Sequence, residues 1–241
     1  RRMLEAVYTG YTGDKSAADF KAMEVYLKRV WFSNGIHHHY GCEKFVPGFT
    51  PEFFKQALLS VDAATLPLAE GQTVEQLYEE VAPVIFDPKV MPKRVNQAAG
   101  EDLVLTSACN YYDGVTQQEA EAFYSALKDP KDETPVSYGL NSRLVKENGK
   151  IQEKVWKAGG LYGAAIGKIV YWLKKAEGVA ENPEQKAVIA KLIEFYETGD
   201  LKTFDDYAIL WVKDLDSRID FVNGFTESYG DPLGMKASWE S

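Results

Sequence analysis

Lys146-Glu147-Asn148-Gly149-Lys150-Ile151-Gln152-Glu153-Lys154-Val155-Trp156 is the stretch that separates this chain from an all-helical protein. Asn-Gly suits a two-residue type I′ turn, because both central residues of that turn need positive φ. The flanks, Val136 to Glu147 and Lys150 to Trp156, read as the paired strands. Ile151 and Val155 fall on one strand face, and Lys150, Gln152 and Lys154 on the other. A hairpin near 140–156 is therefore expected, and it is the one β element that the pattern itself supports.

On both sides of the hairpin the chain reads as helix. Ser16-x-x-Asp19 opens a run with Phe20, Met23, Leu27, Val30 and Trp31 at three- and four-residue spacing. Thr50-Pro51-Glu52 sets a hydroxyl at the cap and proline at the first helical position, ahead of Phe53 to Leu59. Thr73-x-x-Gln76 and Thr116-x-x-Glu119 are capping boxes. Leu161 to Lys175 is apolar on most sides and predicts a central buried helix. Asn182-Pro183-Glu184-Gln185 starts another, with Val188, Leu192, Phe195 and Tyr196 inward, and Phe204, Tyr207, Ala208, Trp211 and Leu215 repeat the pattern. Ala98 to Asp102 and Asp129 to Asp132 read as loops too short to link domains. The expected fold is mainly α with a minor β component (α+β), as a single mostly helical unit over 1–241.

Composition excludes several classes. The 241 residues are 45% hydrophobic and 26% charged, ordinary for a globular chain. With 36 acids against 27 bases the net charge is −9, which argues against a nucleic-acid partner, since phosphate binding needs a basic face. No run approaches the roughly 18 apolar residues that span a bilayer, so no membrane partner is expected. Cys42 and Cys109 are too few for a disulfide framework and read as free buried thiols, which points to a reducing, cytoplasmic setting. Arg1 to Ala6 enters a helical pattern with no cap before it, so the chain is expected to be an internal piece of a longer protein.

The residues that carry chemistry lie near the end, in Phe225-Thr226-Glu227-Ser228-Tyr229-Gly230-Asp231-Pro232-Leu233-Gly234. On an extended segment, Glu227 and Tyr229 would point the same way, whereas on a helix they diverge. Pro232 biases Asp231 away from helical geometry. The chain is thus expected to leave a helix here with both side chains toward one cleft. A carboxylate there can hold an ammonium, and a phenol can donate to an oxyanion. The plain alternative is a helix terminus with a surface Glu and a half-buried Tyr. His37-His38-His39 contains every histidine of the chain, but adjacent imidazoles alternate faces on a strand and converge poorly on one ion. A hydrogen-bonded loop is the expectation for them, and metal binding is disfavoured. Gly159-Gly160-x-x-Gly163-x-x-x-Gly167-Lys168 departs from a phosphate loop at Tyr162 and Ile169; Gly163 and Gly167 read instead as allowing close helix packing. Cys109 to Gly114 reads as a polar-aromatic loop, and no motif supports nucleophilic catalysis.

The block Phe225 to Gly234 resembles Phe-x-Glu-Ser-Tyr-x-Asp-Pro-x-Gly of the dipeptidyl-peptidase III family of zinc peptidases, family M49, in its bacterial form. Two softer stretches agree. Gly41-x-x-Lys44-Phe45-Val46-Pro47 is similar to the family's Gly-Asp-x-Lys-Phe-x-Pro loop, with Cys42-Glu43 departing from it, and Asn141-Ser142-Arg143-Leu144 is similar to Asn-Thr-Arg-Leu. The resemblance implies that Glu227 contacts the free N-terminus of a bound peptide and that Tyr229 stabilises the tetrahedral intermediate. Glu240, at the matching offset, would line the amine pocket. Gly230 stands where eukaryotic members carry Arg, which bears on the charge of the cleft. The family's zinc motif, His-Glu-x-x-Gly-His, does not occur in these residues. The resemblance therefore implies a helical lower-lobe portion of a two-lobed zinc dipeptidyl-peptidase acting on short peptides. Zinc would be held by the zinc-binding lobe of the full-length protein, with none in this fragment and no activity from the fragment alone. The competing expectation is a helical interaction or scaffold domain related by ancestry only.

Overall fold

The computed structural model describes residues 1–241, which pack as two compact units, Arg1–Asn96 with Thr106–Ala108, and Gln97–Leu105 with Cys109–Ser241. A reading as one unit over 1–241 does not draw this division, because both segments carry the same amphipathic helical grammar.

The first unit holds α1 (Arg2–Gly10), α2 (Ala18–Phe32), α3 (Pro51–Leu59) and α4 (Val74–Phe86), with a short 3-10 turn at Ala63–Thr65. Its core gathers Leu4, Val7, Phe20, Met23, Leu27, Phe54 and Leu58 from the apolar stripes of the helices. Thr50 Oγ1 accepts from the Phe53 amide at 3.2 Å, with Pro51 following at the first helical position. Thr73 and Gln76 complete their capping box reciprocally. Ser16 departs from its expected role. The residue before α2 is Ala17, with no side-chain cap, and Ser16 Oγ donates to Asp14 instead. Lys44 closes the far end of α4, its Nζ donating to the carbonyls of Val84 and Val90 at 2.9 and 2.6 Å.

The second unit contains β1 (Tyr112–Asp113), α5 (Gln117–Leu127), β2 (Ser142–Glu147), β3 (Lys150–Val155), α6 (Gly163–Glu177), α7 (Pro183–Thr198), α8 (Leu201–Lys213), β4 (Gly224–Glu227) and β5 (Ser238–Glu240). The hairpin forms with Asn148 and Gly149 at φ of 51° and 76°, the conformation that Asn-Gly adopts at least cost. Its first strand begins at Ser142 rather than Val136, and β1 joins it in parallel to make a three-stranded sheet. The second sheet is a two-stranded antiparallel ribbon, β4 with β5. Val188, Leu192, Phe195 and Tyr196 do face inward from α7, joined by Ile166, Val170, Tyr207 and Phe225. Full burial of side chains such as Leu192 or Phe195 stabilises by about 1.5–3 kcal/mol each. The observed architecture is α+β.

Three helical expectations are corrected. α6 buries Ile166, Val170 and Leu173 but leaves Tyr171 and Trp172 exposed, the latter by 68%, so it is an amphipathic outer helix and not a central one. Its aromatic residues lie off the three- and four-residue stripe, and hydrophobicity alone does not fix which side is covered. Gly167 has no neighbour where a Cβ would stand, so no close packing explains it. Leu215 lies beyond the end of α8 and is exposed.

Removing a real cap should be measurable and removing an apparent one should not. Thr73→Ala is expected to lower the unfolding free energy by about 1 kcal/mol. Ser16→Ala is expected to change it by less than about 0.5 kcal/mol, with urea denaturation as the readout.

Candidate functional site

Glu227 and Glu240 belong to the β4–β5 ribbon, whose register determines their relation. Phe225 stands opposite Trp239, Gly224 opposite Glu240 and Glu227 opposite Ser238, with a bulge between Phe225 and Glu227. Directly opposed residues share a face, as do residues two apart on one strand. Without the bulge Glu227 would lie on the face of Phe225. The extra residue, Thr226, turns it instead to the face of Ser238 and Glu240. The two carboxylates are then diagonal neighbours, with Cα atoms about 7–8 Å apart, close enough for two glutamates to converge on one small cation. Both are half-buried.

The opposite face is apolar and anchored. Phe225 is buried, and Trp239 Nε1 donates to Tyr196 Oη at 2.7 Å. Tyr196 Oη in turn donates to Asn223 Oδ1 at 2.6 Å, so one phenol fastens β5 and the approach to β4 together. Burial holds the Tyr196 phenol well above its ordinary pKa, so it stays a donor. Beside this face lies a pocket of about 490 Å³, walled by Tyr111, Trp156, Tyr162, Phe225 and Trp239.

Tyr229 does not continue the strand. The Asp231 amide donates to the Ser228 carbonyl at 3.0 Å, which makes Ser228 to Asp231 a β-turn with Tyr229 at its second position. Its side chain is 66% exposed, and the phenol is open to approach. The expectation that the chain leaves a helix here is corrected. α8 ends at Lys213, and the segment enters this region as the strand β4. Glu227 is on an extended segment as anticipated, whereas Tyr229 lies in a turn and is exposed. At Gly230 a Cβ would stand 3.4 Å from Tyr111 Oη.

A second turn follows at once, Asp231 to Gly234, with Pro232 at its second position and the Gly234 amide donating to the Asp231 carbonyl at 3.0 Å. Gly234 has φ of 64°, which only glycine adopts freely. Asp231 is 1% exposed. Its carboxylate accepts from Tyr112 Oη at 2.9 Å and from the amides of Leu233, Met235 and Lys236 at 3.2, 2.9 and 2.8 Å. Burial and the adjacent carboxylate push the Tyr112 phenol far above its usual pKa. Lys236 is buried completely, with Nζ donating to Tyr124 Oη at 2.6 Å, Ser142 Oγ at 3.2 Å and the Gly139 carbonyl at 3.4 Å. Both hydroxyls pass the contact on to Glu153, Tyr124 at 2.9 Å and Ser142 at 2.5 Å. Desolvation lowers the Lys236 pKa to about 8, partly opposed by Glu153 and Asp231. Asp231, Lys236, Tyr112, Tyr124 and Tyr196 escaped sequence reasoning as parts of the site. The Asp-Pro turn was a signal for Asp231, but a lone lysine in a polar loop signals nothing.

The histidines are occupied separately. His37 is buried with Nε2 2.8 Å from the Met91 carbonyl, and burial lowers its pKa. His38 Nδ1 accepts from the amides of Tyr40 and Gly41 at 3.3 and 3.0 Å, and His39 Nδ1 pairs with Ser33 Oγ at 3.2 Å. No three His, Cys, Asp or Glu side chains of the chain gather as a metal site. The residues present therefore do not fit a zinc ion. Cys42 and Cys109 are unpaired, and burial raises the Cys109 thiol to about 11. No helix is long and apolar enough to cross a membrane.

The family model described as peptidase family M49 matches residues 106–241. Dipeptidyl peptidase 3 of Nematostella vectensis is 24% identical over 92% of this chain and 34% of its own length. The human protein of that name is 24% identical over 92% of the chain and 33% of its own. The chain thus spans about a third of the length of these relatives. A solved structure, dipeptidyl-peptidase III from Corallococcus sp. strain EGB, aligns with a TM-score of 0.45 at 17% identity, over 98% of this chain and 41% of its own.

Two outcomes test the anchoring. Asp231→Ala strands three amides and a buried phenol, and is expected to cost about 3 kcal/mol or more in urea denaturation, against about 1–2 kcal/mol for Tyr112→Phe. The second concerns pH. Because the folded pKa of Lys236 is lowered to about 8 from 10.5, between those values the unfolded chain binds a proton that the folded chain does not. Stability from this group therefore rises with pH across that window. Cys109 and the buried phenols keep their protons longer when folded and act in the opposite direction from about pH 9 upward. The wild type is accordingly expected to gain about 1–2 kcal/mol on Lys236→Met between pH 8 and 9.5.

Proposed function

Because the chain belongs to peptidase family M49, whose model covers residues 106–241, we propose that it is the substrate-binding portion of a zinc-dependent dipeptidyl-peptidase that removes dipeptides from the free N-terminus of short peptides. The observation that carries this reading is the bulged register of β4 with β5, which turns Glu227 to the side of Glu240. An exopeptidase measures distance from a charged terminus and needs an anionic anchor for it. Glu227 and Glu240 supply two carboxylates to one ammonium, an arrangement that carries more charge-assisted hydrogen bonding than either alone. Tyr229, exposed in the adjoining turn, donates its phenolic proton as a hydrogen bond to the oxygen that becomes negative when the scissile carbonyl is attacked.

On this reading zinc is held by residues outside these 241, in a zinc-binding lobe of the full-length protein, and the chain alone is inactive. The partners are short peptides, and the unpaired Cys42 and Cys109 support a reducing, cytoplasmic setting. If the parent gene continues into His-Glu-x-x-Gly-His, the reading gains its metal; if it stops near Ser241, a scaffold domain takes its place.

Release of a chromogenic dipeptidyl-arylamide by the full-length protein tests the assignment. Tyr229→Phe is expected to lower kcat about 10²–10³-fold with little change in KM. Glu227→Gln is expected to raise KM about 10–100-fold, the loss of one charged hydrogen bond, and N-acetylated peptides should not compete. An unchanged kcat in Tyr229→Phe removes that residue from the chemistry.

A further inference from the structure

The segment that carries Tyr229 and leads into β5 is held from inside by a charged side chain that the proposed reaction does not use. Lys236 is 0% exposed, yet no carboxylate touches its ammonium. Its partners are neutral, Tyr124 Oη from α5, Ser142 Oγ from β2 and the Gly139 carbonyl, with the rings of Tyr112 and Tyr124 5.4 and 4.8 Å from Nζ. The titratable groups around it are Tyr112 from β1, Tyr124 from α5, Glu153 from β3 and Asp231 from its own segment, with Cys109 beyond Tyr112. The next residue, Ala237, donates its amide to the Leu140 carbonyl at 2.9 Å, and β5 begins immediately after.

We infer that Lys236 is a positioning residue for the substrate anchor, a proton-linked clasp whose seating against Tyr124, Ser142 and Gly139 holds the Tyr229 turn and the Glu240 strand in place. The functional half of this inference rests on the proposed roles of Glu227, Tyr229 and Glu240; the clasp itself does not. Geometry gives the clasp its leverage. Tyr229 is held through the turn ending at Asp231, and Glu240 through β5, whose far side Trp239 fastens to Tyr196; the loop that joins the Tyr229 turn to β5 runs through Lys236 and its neighbours. Any opening that draws the lysine into water returns it to an environment that favours its charged form. Opening is therefore coupled to proton uptake whenever the seated amine is neutral, above about pH 8, and becomes rarer as pH rises. The direction runs against the common expectation that alkaline conditions loosen a buried ion.

Hydrogen exchange on this chain reads the clasp directly. Protection factors, corrected for intrinsic rates, are expected to rise about tenfold between pH 7 and pH 9 for the amides of Met235, Lys236 and Ala237 in the wild type. Lys236→Met and Lys236→Arg should show no such rise. A flat wild-type profile overturns the clasp without recourse to any variant, as does an equal rise in the variants. In the full-length protein, Lys236→Arg is expected to lower kcat about 10–100-fold for a dipeptidyl-arylamide through misplacement of Tyr229. An unchanged kcat there, with Tyr229→Phe impaired, overturns the positioning role. If Tyr229→Phe and Glu227→Gln are also unimpaired, the reading of the site has failed, and the exchange result then decides the clasp alone.

Discussion

The Asp231 carboxylate is the interaction on which the β4–β5 ribbon of the second unit depends. A carboxylate without solvent is costly unless its lone pairs are filled, and here four donors fill them, the Tyr112 phenol and the backbone amides of Leu233, Met235 and Lys236. Those amides belong to the loop that returns the chain from β4 to β5. Satisfying them inside the protein fixes the path of that loop, and the path fixes which residue of β5 meets which residue of β4. Pro232 and Gly234 serve the same end by restricting the turn to one shape. The order Asp-Pro-x-Gly is thus a local folding instruction whose product is a strand register.

That register separates two chemistries across a ribbon one residue thick. One face carries the buried Phe225 and the more exposed Trp239, and is tied down by Tyr196. The other carries Glu227, Ser238 and Glu240. A regular strand would have put Glu227 with Phe225, against apolar side chains and away from Glu240. The bulge at Thr226 thus decides the placement, because it lets one short strand bury Phe225 and still turn Glu227 to the side of Glu240. Tyr229, by contrast, gains its exposure from being in a turn, where no ladder constrains it.

Beneath the face, polar groups replace the aliphatic packing usual under so small a sheet. Tyr112, Tyr124, Ser142, Glu153, Asp231 and Lys236 form one connected network around the apolar cluster of Val104, Val115, Ala120 and Leu144. Such networks are directional. They resist sliding of a loop more than aliphatic packing does, at the cost of desolvating a charge. The lowered pKa of Lys236 is the sign of that cost.

Much of this was legible in the sequence, where the signal is local. Thr50, Thr73, Thr116 and Asn182 cap the helices they announce, since a cap is settled within one helical turn. Asn148-Gly149 turns the hairpin for the same reason, and the block from Phe225 to Gly234 marks Glu227 and Tyr229 by its residues alone. What the chain could not declare locally was anything fixed by partners far along it. Ser16 loses its cap to Asp14, and α6 turns Trp172 outward. β4 and β5 are too short to show a period, and Glu240 meets Glu227 only through a bulge. Lys236 looks like any surface lysine until Tyr124, Ser142 and Gly139, about a hundred residues away in sequence, close over it. Sequence by itself determined the helices and the hairpin, because propensity and capping act over a few residues, and it singled out Glu227 and Tyr229 as candidates by their motif. Tertiary structure alone decided which of those side chains share a face, because register and burial are set by contacts that the local sequence does not contain.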